Sequence, residues 1–193
     1  MDPRRASRKR LLWFALPLLL AGAVFAVVRS RAQRHEIPLA DAERYLLTAA
    51  REGDAALVAG LVRAGTSVET RDERGFTPLI LAAYHGHDEA VQTLLALGAD
   101  ACAGDARGNS ALMGAAFKGH KHVVELLLQN PCAVAQANGV GQTALMFARL
   151  FGRSEIADLL VSAGASRTHR DATGRSADDW ARTQEPASPV GPR

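Results

Sequence analysis

Two histidine pairs, His85-x-His87 and His120-x-His122, have a spacing that could suggest a metal or haem site. Neither pair has a carboxylate or cysteine at a useful spacing to complete a ligand set, and His85 and His122 occupy different columns of the repeat that contains them, so no resident metal is expected. Asp178-Asp179 resembles a carboxylate couple for acid–base work. Adjacent helical residues point apart, however, so these two are expected to keep the outer face of a terminal unit wet. Met113 and Met146 are oxidisable thioethers whose expected role is filling core gaps. The chain has two cysteines, Cys102 and Cys132, too few for a disulfide scaffold or a four-cysteine zinc site. A bond between them requires Cα atoms within ~7 Å. They lie in non-equivalent columns of adjacent units, so none is expected. No nucleophile–base pair and no phosphate-cradling glycine loop is visible. The sequence therefore predicts a non-enzyme with no cofactor and no metal.

The elements that carry these residues repeat. Gly53, Gly86, Gly119 and Gly152 are spaced 33 apart, as are Gly75, Gly108, Gly141 and Gly174. Ala49, Ala82, Ala115, Ala148 and Ala181 keep the same step, and so do Thr77, Ser110, Thr143 and Ser176. Four columns sharing one period specify a stacked-repeat architecture. In residues 72–104, Asp72-Glu73-Arg74-Gly75 supplies turn chemistry. Thr77 is placed to cap a first helix with Pro78 at its first position. Leu79, Ala82 and Ala83 form its apolar stripe, and Gly86 ends it. A second helix begins after His87, with Ala90, Val91, Leu94 and Leu95 at helical spacing, and Gly98 stops it. One such pair cannot bury its own stripe, so neighbours must stack.

Charge separates this region from the N-terminus. Residues 1–34 hold eight basic side chains against Asp2, whereas the remainder holds 15 basic and 19 acidic ones. The overall +3 therefore gives the repeats no electrostatic footprint for nucleic acid, and 5% aromatic content gives no base-stacking platform. Residues 11–28, LLWFALPLLLAGAVFAVV, contain no charge and would form a helix roughly 27 Å long, close to a bilayer core. Five basic residues precede the run and three come after it, which favours a cytoplasmic N-terminus and export of the chain beyond residue 28. Two fates stay open: an uncleaved anchor with Trp13 at the interface, or a signal removed after small residues such as Ala21-Gly22-Ala23. Residues 29–40 are polar, with 35–40 as linker, and 185–193 hold three prolines and read as a disordered tail.

Asp72-x-x-Gly75-x-Thr77-Pro78-Leu79 and Gly98-Ala99-Asp100 resemble the ankyrin repeat. The resemblance covers residues 41–184. It implies an all-α ankyrin-repeat solenoid of helix–turn–helix units with hairpin loops, preceded by one N-terminal transmembrane or signal helix. The units would be an N-terminal cap (41–71), full repeats 72–104, 105–137 and 138–170, and a partial cap (171–184). Ile80, Met113 and Met146 replace the family's usual histidine, so its loop-bracing bonds must be absent or replaced. His87 and His120 match histidines that serve the turn in the family. Pro131 stands at an expected helix-ending glycine, which predicts an early stop. By analogy the concave, partner-binding positions are Glu73, Arg74, Phe76, Tyr84 and His85, then Arg107, Asn109, Phe117 and Lys118, then Val140, Gln142, Leu150 and Phe151. Tyr84, Phe117 and Leu150 form one ladder, flanked by Phe76 and Phe151 and rimmed by Arg74, Arg107 and Lys118. Such a row is either an anchor cluster for a partner or packing between units.

The segments GFTPLILAAYHGH, GNSALMGAAFKGH and GQTALMFARLFGR are similar to a group of exported bacterial ankyrin proteins encoded beside haem catalases. That likeness implies a protein-binding module in the periplasm that supports a partner such as a catalase in oxidative-stress defence. The domain would be anchored in the inner membrane through residues 11–28, or soluble after cleavage. Two other readings stay open: a haem- or metal-handling accessory using His85, His122, Met113 or Met146, and an effector or scaffold with an unrelated partner.

Overall fold

A computed structural model describes residues 38–130 and 134–183. The apolar run 11–28, the tail 185–193, Pro131 and Cys132 lie outside the described residues. Among those described, no helix is long and apolar enough to cross a membrane.

Each period folds as a hairpin loop followed by a pair of helices. The helices are α1 (Leu39–Glu52), α2 (Ala55–Arg63), α3 (Pro78–His85), α4 (Asp88–Ala96), α5 (Ala111–Lys118), α6 (Lys121–Leu127), α7 (Ala144–Leu150), α8 (Ser154–Ser162) and α9 (Ala177–Arg182). Helix α1 starts inside the stretch expected as linker. The odd-numbered helices pack successively into an inner row, and α2, α4, α6 and α8 into an outer row. Ala82, Ala115 and Ala148 are wholly buried in the inner row, where a methyl group lets neighbouring helices approach closely. Leu79, Leu112 and Leu145 meet Leu94, Leu127 and Leu160 in one continuous core.

The helix starts follow the threonine/serine column. Thr77, Ser110, Thr143 and Ser176 accept hydrogen bonds from the amides of Ile80, Met113, Met146 and Asp179, satisfying N–H groups that would otherwise be orphaned. Gly86 and Gly119 end α3 and α5 in the left-handed conformation. Helix α6 spans seven residues against nine in α4 and α8, the early stop expected before Pro131.

The hairpins hold each other through main chain. The amide of Ala106 donates to Arg74 O (3.0 Å), that of Gly139 to Arg107 O (2.8 Å), and that of Ala172 to Val140 O (2.9 Å). A Cβ on Gly75 would lie 2.7 Å from the Ala106 nitrogen, and its φ is +79°, so this position requires glycine. The bracing that a histidine would supply comes from another column. One side-chain oxygen of Asp72 accepts from the amides of Arg74 and Phe76. Asp105, Asn138 and Asp171 do the same for the residues two and four positions on. This frees the Ile80, Met113 and Met146 column to be core, with Met113 1% and Met146 2% exposed.

His87 and His120 act between units. Their Nε2 atoms meet Arg51 O (2.9 Å) and Tyr84 O (3.2 Å), each 36 residues earlier. Cys102 is disulfide-bonded, a correction to the expectation of no bond. Cys102 stands in a turn beyond α4, where column offset does not fix how close a second cysteine can come. At the far end Ser176 and Asp179 form a reciprocal capping box, while Asp178 pairs with Arg167 and Asp179 with Arg170 and Arg182. The two adjacent carboxylates thus serve different partners.

Candidate functional site

The last turns of the inner-row helices carry large side chains, Tyr84, Phe117 and Leu150, with Phe151 just beyond. Tyr84 and Phe117 stack with centroids 6.0 Å apart and planes at 15°. Phe117 also meets Phe151 edge-on at 4.5 Å and Phe147 at 6.5 Å. Such edge and offset contacts are the favoured geometries for rings carrying a quadrupole. The cluster is neither swallowed nor free: Tyr84 is 37% and Phe151 39% exposed, while Phe117 and Leu150 are half-buried. Lys118 Nζ lies 4.9 Å from the Tyr84 centroid and 6.0 Å from that of Phe117, so the ammonium rests on the rings.

Between these rings and the hairpins runs a groove of about 1010 Å³. Ile80 and Met113 form its floor, Tyr84, Phe117 and Phe147 one wall, and Phe76, Arg107 and Val140 the hairpin side. Its polar loops are internally satisfied. Both Asp105 carboxylate oxygens accept from Asn109 Nδ2, and Asn109 Oδ1 accepts from Asn138 Nδ2, which also donates to Gln142 Oε1. Asn109 and Gln142 are therefore engaged in the loop ladder, whereas Glu73, Arg74, Arg107 and Val140 are exposed. Among the described residues no ion pair involves Arg74, Arg107 or Lys118.

His85 stands at the edge of this cluster, 5.4 Å from Tyr84 and 6.2 Å from His87 between ring centroids. Burial, then the nearby positive charges of His87, Arg51, Lys118 and His120, lowers its pKa from the ordinary histidine value and favours neutral imidazole. His122 lies elsewhere, beside Glu125. No cluster of three or more histidine, cysteine or acidic side chains able to hold a metal occurs among the described residues.

Two participants escaped the sequence reading. Phe147 and Gly114 share a column with Leu81, and its size runs from leucine to nothing to phenylalanine. Comparing side-chain volume along that column would have found both.

A family model described as ankyrin repeats matches the chain in three overlapping copies, residues 20–105, 46–137 and 97–171. No curated protein matches it.

Proposed function

The chain belongs to the ankyrin-repeat family, and from that premise we propose a non-enzymatic protein-binding module whose groove face docks a partner polypeptide. The observation that carries this reading is the half-exposed ring cluster of Tyr84, Phe117 and Phe151, rimmed by cations without acidic partners. Large rings at the centre of a contact supply most binding energy, and rim charges speed and orient encounter. Retrieval by the full chain from detergent-solubilised membranes tests it. A Tyr84→Ser/Phe117→Ser variant loses the proteins that the wild type retains; equal retrieval would remove the proposed surface.

The module is proposed to be exported and held at the inner membrane by residues 11–28, or released into the periplasm by cleavage. The charge bias across that run supports export, and so does the disulfide at Cys102, because such bonds persist in oxidising compartments. In cells, Cys102 is then protected from alkylation until a reductant is added. Ready alkylation without reductant would place the domain in the cytoplasm. A haem catalase is the proposed client, on the likeness of residues 75–87, 108–120 and 141–153 to the exported group. Loss of this protein would then lower catalase activity outside the cytoplasm, and unchanged activity would dismiss that client.

A further inference from the structure

Gly114 sits in the interior of α5, where glycine weakens a helix, and nothing in the fold asks for it. Its φ lies outside the left-handed region. The atoms nearest to a Cβ there would be those of the Tyr84 side chain and its Cα at 3.6 to 3.8 Å, ordinary van der Waals distances. Gly75 differs, because backbone blocks any side chain there. Gly114 instead lines the groove together with Tyr84, Phe147 and Arg107, beside the Tyr84 ring. We propose that the notch over Gly114 is a socket for one large apolar side chain of a partner polypeptide, with a carboxylate of that same segment placed on Arg107.

The walls dictate the chemistry of the occupant. Aromatic and aliphatic side chains line the notch, and the polar atoms of Asp105, Asn109 and Asn138 are already hydrogen-bonded among themselves. An apolar group entering the notch therefore strands no buried polar atom. Arg107 lines the groove as an exposed cation with no ion pair among the described residues, so an arriving carboxylate breaks no existing bridge. This deepens the proposed function and rests on its assignment of the groove as the docking face.

Panning a phage-displayed library of random dodecapeptides on the full-length protein in detergent tests the socket, followed by affinity measurement on the selected peptides. The expected peptides share Trp, Phe or Leu with Asp or Glu within about three positions. Gly114→Leu fills the notch and weakens them by about tenfold or more, while Arg107→Glu weakens them severalfold and flattens their salt dependence. Thermal melting confirms that Gly114→Leu is folded; should it not be, Gly114→Ala and the charge variant carry the test. Undiminished binding by Gly114→Leu, with loss in Tyr84→Ser, overturns the socket but leaves the docking face. Binding insensitive to every one of these changes, or no enriched peptide, overturns both. Peptides enriched in basic flanks overturn the carboxylate assignment. A dimer in sedimentation that Gly114→Leu dissociates would make the occupant a second copy of this chain and overturn the proposal.

Discussion

Asp171 shows how one carboxylate can hold a terminus. Burial pushes its pKa up, but hydrogen bonds from the Thr173 hydroxyl, the Arg175 amide, the Trp180 indole and the Thr173 amide outweigh this and bring it down to about 2. A pKa lowered on folding stabilises the folded state above the unfolded value of 3.8, and that contribution fades as pH falls toward about 2. Trp180 donates to Asp171 Oδ2 at 2.9 Å and reports the loss. In a Trp13→Phe background its emission is expected to shift between pH 4 and 2, whereas an Asp171→Asn variant shows no transition in that window. A flat wild-type profile would contradict the assignment. The Asp72, Asp105, Asn138 and Asp171 column was visible in the sequence only as turn formers. Its bracing role depends on which amides the folded loop turns inward, and spacing does not encode that.

The helices themselves were legible, because caps, stripes and stops are local. Thr77, Pro78 and Gly86 bound α3 where the sequence placed its ends, and the shortening of α6 followed from Pro131. What a column repeats places the helices, and what it varies in side-chain volume is readable as well, but not what that variation opens. Leu81, Gly114 and Phe147 share a register, and the opening they leave becomes evident only when three helices stand side by side. Helix α5 therefore yields its own prediction. Gly114→Ala removes a helix-interior glycine without a clash, stabilising the domain by roughly 0.5–1 kcal/mol and raising its melting temperature by roughly 2–4 °C. A lowered melting temperature would mean that the glycine serves packing.

Across the whole molecule, stability is shared between neighbouring units, so damage at the centre spreads further than damage at an end. Leu112 is wholly buried in the second full repeat. Leu112→Ala should cost about 2–5 kcal/mol in denaturant unfolding and lower the transition of the entire stack. Two separated transitions would show instead that the units melt independently. The stack was foreseeable from its period. The disulfide at Cys102 was not, because that residue lies in a turn, and column offset does not fix the distance between cysteines in loops. One arrangement has a bearing on how such a surface changes over time. The links from Arg74 O, Arg107 O and Val140 O to the next fingertip involve no side chain, so substitutions at 74, 107 and 140 leave the spacing of the tips intact. New preferences for a client can therefore be written there one letter at a time, on scaffolding that does not register the edit.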